Sequence, residues 1–208
     1  MFSFNPVKFI LLYLMYYKYY QMSIFKNIKD IHNIEEASLN KLAGKFSEVN
    51  YPKGYLLFHS SKVEQNIYII ADGLVRAYYY NEDKEITFWF GREGDPVLSM
   101  RSYVEHTPGY ENIELLESSR LYQIRVRDLH ELYNIDIEIA NWGRKLAEKE
   151  LLKTEGDFIS RQFKTASERY NDLLKSHPDL LQRVQLGYIA SYLGITQVTL
   201  SRIRADLK

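Results

Sequence analysis

Apolar positions change their spacing several times along this chain. Ile31, Ile34, Leu39, Leu42 and Phe46 fall mostly three to four residues apart, which predicts helix near the start of the readable sequence. From Tyr51 to about Gln123 the pattern becomes one of short apolar runs. These are Tyr55–Phe58, Ile67–Ile70, Leu74–Tyr80, Ile86–Phe90, Ile113–Leu116 and Leu121–Ile124, all rich in β-branched and aromatic residues. Lys53-Gly54, Ala71-Asp72-Gly73 and Asn81-Glu82-Asp83-Lys84 supply hairpin turns between them. Short strands with regular turns predict a sandwich, jelly roll or small barrel. One helical interruption is expected between Leu98 and Val104.

After Gln123 the strand signal stops. Val126–Tyr133 reads as a short amphipathic turn, and a long helix is expected from Asp136 to Gln162. Ile135, Ile139, Trp142 and Leu146 step by 4, 3 and 4, the spacing of a coiled-coil seam. The seam has two readings: a helix packed on its own domain, or a dimer helix in which Ile139, Trp142 and Leu146 face a partner. The second is taken forward. Gly143 and Gly156 each weaken such a helix by about 1 kcal/mol relative to alanine. Thr165-Ala166-Ser167-Glu168 forms a capping box that starts the next helix, ending near His177-Pro178.

The segment from Leu186 to Leu207 has the side-chain sizes of a helix-turn-helix. Ala190 is small where a second helix crosses the first. Gly194 suits the positive φ that ends a helix. Ile189, Leu193, Ile195, Leu200 and Ile203 form a shared core, and Thr196 is an N-cap. The plain alternative is a helical hairpin with no nucleic-acid role. On the DNA reading, Gln197, Val198, Ser201 and Arg202 meet base edges in the major groove, while Thr196 and Thr199 meet phosphates. Arg202 pairs with guanine and Gln197 with adenine.

Charge placement agrees. The formal net charge is zero, yet Lys164–Lys208 holds seven basic and four acidic residues, so the rest of the chain carries the balancing excess of acid. A basic end on a mildly acidic body fits a nucleic-acid reader. The absence of cysteine excludes disulfides, thiolate metal sites and iron–sulfur clusters. His32, His59, His106, His130 and His177 are scattered without metal-ligand spacing, and no metal site is expected. No phosphate-binding glycine loop or nucleophile elbow occurs. Glu105, Glu111 and Glu114 are read as solvated charges, so no catalytic residues are assigned and the chain is read as a non-enzyme.

Phe9–Tyr17 is a nine-residue apolar run, too short to span a membrane. It lacks a small-residue cleavage site. A translation start at Met22 is the favoured reading; a docked segment and a targeting segment are the others.

The order of β-roll, long helix and terminal helix-turn-helix resembles the cyclic-AMP receptor/fumarate-nitrate regulator (Crp/Fnr) family. The resemblance covers about Lys26 to Lys208. Tyr68-x-Ile70-x-x-Gly73-x-Val75-Arg76 resembles that family's Tyr-x-Ile-x-x-Gly-x-Val-Arg hairpin. Gly94-Asp95 resembles the opening of its ligand cassette, and His177–Arg204 is similar to the short members common in Bacteroidetes. The resemblance implies an α+β fold: a cyclic-nucleotide-binding-like β-roll, a dimerisation helix, and a helix-turn-helix without a wing hairpin. The expected divisions are 1–21, an uncertain extension; 22–135, the effector domain; 136–162, the dimer helix; and 163–208, the DNA-binding unit. It further implies a cytoplasmic homodimer on near-palindromic double-stranded DNA, with RNA polymerase as a partner and no membrane association.

Two departures from the family pattern shape the expectation. The family's cassette holds a Glu for ribose and an Arg-Ser or Arg-Thr for the cyclic phosphate. Here the Glu place falls at Ser99 or Met100, and the Arg-Ser place near Glu111-Asn112, with Arg101 displaced from the pattern. Ordinary cyclic AMP binding is therefore not expected. No cofactor is assigned, and any small-molecule effector is unidentified. In the recognition helix, Gln197-Val198 replaces the family's Arg or Pro followed by Glu. Val198 touches a thymine methyl rather than cytosine N4. Two other functions remain open: a ligand-binding β-roll whose helix-turn-helix lacks DNA affinity, and a jelly-roll metal enzyme.

Overall fold

A computed structural model describes residues 23–82 and 84–206. The expectations for residues 1–21 and for a start at Met22 lie outside the described residues. Residues 23–31 are helical (α1), followed by α2 at Glu36–Ala43. Ile31, Ile34, Leu39, Leu42 and Phe46 are all buried, so the expected apolar stripe exists, divided between these helices and their ends.

Eight strands follow: β1 Ser47–Tyr51, β2 Leu56–Phe58, β3 Asn66–Asp72, β4 Val75–Asn81, β5 Lys84–Gly91, β6 Pro96–Val97, β7 Asn112–Leu115 and β8 Ser119–Arg125. Helix α3 at Met100–Glu105 interrupts them where expected. The strands form two antiparallel sheets, in the orders β1-β8-β3-β6 and β2-β7-β4-β5.

Strand β3 shows why its sequence is continuously apolar. Side chains alternate across a strand. Tyr68 and Ile70 enter the core between the sheets, with Leu57, Phe58, Val75, Ile113 and Leu121. Ile67 and Ile69 enter a second core on the opposite face, against α1, α2 and the helices after β8. Both faces are buried, so both alternate sets are apolar.

The segment read as a short amphipathic turn is a ten-residue helix, α4 at Val126–Ile135, which buries Val126, Leu129 and Leu132. Helix α5 spans Ile137–Phe163. The dimer assignment of its first half requires correction. Ile139, Trp142 and Leu146 are all buried inside this chain, and Trp142 Nε1 donates to the Ile28 carbonyl at 2.9 Å. The seam is real, but α1, α2 and α4 fill it. Apart from Ile137 at its first position, the exposed apolar residues of α5 lie further along: Leu151, Leu152, Phe158, Ile159 and Phe163.

Gly143 also has a different role from the cost read in sequence. A Cβ there would meet the Tyr133 hydroxyl at 2.3 Å, so the missing side chain lets α5 close against α4. Gly143→Ala should therefore destabilise the protein by about 1 kcal/mol or more, because overpacking outweighs the gain in helix propensity. Urea denaturation checks this; a stabilised variant would contradict the packing.

Asp136 begins α5. Its Oδ1 accepts from the Glu138 and Ile139 N–H groups, and its carboxylate accepts from Ser38 Oγ and Lys41 Nζ. The Lys41 hydrogen bond leads the causes that hold this carboxyl below its ordinary 3.8, with the Ser38 and Ile139 bonds acting the same way against the opposing effect of desolvation. A carboxylate lowered on folding adds stability above its unfolded pKa, and that contribution disappears as pH falls through the lower folded value. Asp136→Asn keeps a good N-cap but has no such titration. Its stability should fall less steeply than the parent's below pH 3.8, as measured by urea melts across the acid range. Parallel acid limbs would count against the role.

Candidate nucleic-acid interface and ligand cavity

Beyond α5, the chain forms α6 Ala166–Ser176, α7 Leu180–Arg183, α8 Leu186–Tyr192 and α9 Gln197–Asp206. The capping box is present at Thr165 and Glu168. The turn between α8 and α9 has the expected chemistry. Gly194 adopts φ +67°, Gly194 N–H donates to Ser191 O, and Ile195 N–H donates to Ala190 O. These paired bonds satisfy the end of α8 as a Schellman motif. Thr196 Oγ1 then accepts from Thr199 N–H at 3.1 Å and caps α9.

Ile189, Ala190, Leu193, Leu200 and Ile203 are buried together with Tyr170, Leu173, Leu180 and Val184. That core fixes the outward face of α9. Thr196, Gln197, Val198, Thr199, Ser201 and Arg202 are all exposed. A short helix with a closed turn behind it and polar side chains at its N-terminal end has the shape and donors for a major groove.

The helix-turn-helix is docked on the second sheet. Ser191 Oγ accepts from Thr87 N–H at 2.9 Å and donates to Glu85 O at 3.2 Å. The Arg76 guanidinium stacks over the Tyr188 ring at 3.6 Å while pairing with Glu85 and Glu114. A second latch is Arg183, which pairs with Glu93 and Glu117 at 2.8 Å each. Those two carboxylates lead the causes that raise the Arg183 guanidinium above its ordinary value. The sequence reading missed Arg76 and Arg183 as anchors. Arg76 sits in an apolar strand and is 1% exposed, and that conflict is the one signal that marked it.

The second sheet, α3 and α5 line an open cavity of about 360 Å³. Phe88, Trp89, Met100, Arg101, Glu111 and Phe158 are among its walls. Of the five sequence candidates, Met100, Arg101 and Glu111 reach it. Ser99 and Asn112 do not: Ser99 Oγ caps α3 by accepting from Ser102 N–H, and Asn112 Oδ1 accepts from Ser60 N–H at 3.1 Å. Arg101 pairs with Glu105 at the surface.

Two charges read as solvated are not. Glu114 is bound to Arg76. Glu111 is only 7% exposed; its Oε2 accepts from Tyr110 N–H at 3.1 Å, and its Oε1 has no donor among the described residues. A buried acceptor left in this state costs about 1–3 kcal/mol. Arg101 and Arg161 also line the cavity, but the place where the family pattern has its phosphate-gripping Arg-Ser holds the Glu111 carboxylate, and this does not fit a cyclic nucleotide bound in that manner.

Among the described residues, no His, Asp or Glu side chains are grouped to hold a metal ion. None of the described helices is long and apolar enough to cross a membrane.

Residues 48–136 match the cyclic nucleotide-binding domain family. Solved structures extend the likeness beyond that span. FixK2 from Bradyrhizobium japonicum is 20% identical with a TM-score of 0.68, over 78% of this chain and 84% of that one. The c-di-GMP-responsive global regulator CLP from Xanthomonas campestris is 16% identical with a TM-score of 0.66, over 83% and 91%. The catabolite activator protein of Thermus thermophilus is 20% identical with a TM-score of 0.54, over 85% and 84%. No match is found among the curated proteins. The chain thus carries a cyclic nucleotide-binding-type β-roll joined to a helix-turn-helix. This is the fold of the solved regulators just named, and the resemblance drawn from the sequence holds for the fold.

Proposed function

We propose that this protein is a DNA-binding transcription regulator of the Crp/Fnr type, acting in the cytoplasm as a homodimer and not as an enzyme. The observation that carries the reading is the closed helix-turn-helix, with Thr196, Gln197, Val198, Thr199, Ser201 and Arg202 together on the exposed face of α9. Gln197, Val198, Ser201 and Arg202 read base edges; Thr196 and Thr199 hold phosphates. RNA polymerase is the partner the resemblance implies.

Dimerisation runs through the second half of α5. Leu152, Ile159 and Phe163 are exposed apolar residues at 7 and 4 residue steps, beside Leu151 and Phe158. A stripe of this kind supports pairing with a second copy, which places two recognition helices about one DNA turn apart. Ordinary cyclic AMP control is not part of the reading, because Glu111 occupies the cavity where a phosphate anchor would be required.

Selection of duplexes from a random DNA pool by purified protein, at two salt concentrations, tests the proposal. An enriched inverted repeat whose capture weakens with salt is the expected result. Recovery of unselected sequence at both salts overturns it.

A further inference from the structure

Gly187 is the second residue of α8, a helix of only seven residues. Glycine is the poorest helix former after proline, so its presence there calls for a compensating reason. The backbone supplies none. Gly54, Gly73, Gly94 and Gly194 have positive φ and Gly187 does not, so other residues can adopt its conformation. Space supplies one. A Cβ at Gly187 would meet Gln197 Nε2 at 2.7 Å and Gln197 Cδ at 3.6 Å. Beyond its own helix and chain neighbours, no other described atom comes within 4 Å of that point. The amide of Gln197, the first residue of α9, therefore lies where a side chain of α8 would be. Gly187 stands one turn before Ala190, which is buried with Leu200 and Ile203 of α9, so the two small residues share the face of α8 that α9 crosses. Gln197 itself is exposed. A glutamine at an exposed helix start has three rotatable bonds and many conformers. Bidentate contact with adenine uses one of them, with both amide atoms at hydrogen-bond distance together. Its neighbours are already restrained: Thr196 Oγ1 and Thr199 Oγ1 lie 3.0 Å apart, and Val198 is β-branched and stiff at χ1. Gln197 takes its restraint from across the turn, at the side chain that Gly187 lacks.

We infer that Gly187 determines DNA sequence preference without touching DNA: it seats the Gln197 amide and so positions the side chain that reads one base pair in each half-site. This role rests on the regulator reading and deepens it. Gly187 is a positioning residue, acting only through Gln197. One added methyl group at position 187 pushes the amide off its seat. The displaced group is the far end of a flexible side chain, so α8 and α9 keep their packing. The change falls on the pose of Gln197 and not on the fold.

The test is selection from random duplexes by the full chain, comparing the parent, Gly187→Ala, Gln197→Ala and the double variant, with urea denaturation of each. Gly187→Ala should match the parent's stability or slightly exceed it, because alanine is the better helix former. Its selected operator should lose about tenfold in discrimination at one symmetric pair of positions, the same pair that Gln197→Ala flattens. The guanine read by Arg202 should be selected as strongly as before. In the Gln197→Ala background, Gly187→Ala should change nothing further, since the amide it displaces is gone. An equal loss at every position, with or without a fall in stability, would overturn the inference. So would a further change of preference in the Gln197→Ala background. An operator selected by the parent and left intact by Gly187→Ala removes this inference alone. Failure of the parent to select any operator removes the regulator reading and the inference with it.

Discussion

Arg202→Ala should abolish most of the sequence preference of DNA binding. A bidentate arginine–guanine contact discriminates by about 1–3 kcal/mol, and a symmetric dimer makes it at each half-site, so the loss is about 2–6 kcal/mol on the selected operator. The exposed side chain stands one residue before buried Ile203 on α9, so its removal opens no cavity in the helix-turn-helix core. Fluorescence anisotropy at fixed salt, on the operator and on an unrelated duplex, separates the effects. The operator should suffer far more than the unrelated duplex. Equal losses on both would reduce Arg202 to a phosphate contact.

The second large effect is on stability. Trp142→Ala should cost about 3–5 kcal/mol, the range for removing a large aromatic from a packed core. It also deprives the buried Ile28 carbonyl of its indole donor. Trp142→Phe removes the hydrogen bond with little change of packing and should cost far less. Substitutions in the exposed stripe should behave in the opposite way. Leu152→Glu and Ile159→Glu should leave the monomer's melting nearly unchanged and shift sedimentation toward the monomer. If Trp142→Ala instead dissociated a dimer without loss of monomer stability, the assignment of the two halves of α5 would be reversed.

The contrast along α5 shows what the sequence could convey. The spacing of Ile139, Trp142 and Leu146 announces a buried seam, but spacing cannot name the surface that buries it. That surface comes partly from Ile28, 114 residues away from Trp142, through a contact with no local signature. The helix-turn-helix is legible because Ile189, Ala190, Leu193, Leu200 and Ile203 all lie close in sequence to Gly194, so residue sizes suffice even though Leu74 and α6 complete the core. Strands β3, β4, β5 and β8 are legible because burial on at least one face demands apolar runs. Strand β1 is not: Ser47–Tyr51 is an edge strand with no fully buried residue, so its sequence stays polar. Strand β6 has two residues, too few for any period.

The candidate cavity was legible by half. The Gly94-Asp95 pattern led to Met100, Arg101 and Glu111, which share the lining of one cavity. It could not show that Ser99 and Asn112 serve the backbone, since capping and loop-holding bonds depend on the three-dimensional path of residues 60 and 102. Nor could it show that Glu111 is buried. A lone acidic residue beside Tyr110 and Asn112 reads as surface, and only the sheet packing around Gly109 encloses it.

Leu74 has a wider meaning than its place between two strands suggests. It is fully buried in the core otherwise made by α6 to α9, and Phe90 and Leu116 pack around it. The helices α6 to α9 therefore complete their own interior with side chains borrowed from the sheet. Cut away at residue 163, they would expose that interior and lose the Arg183 and Ser191 anchors together. Helix α9 is not a detachable unit: its folding is a cooperative extension of the β-roll, and damage to the roll is felt at its exposed face.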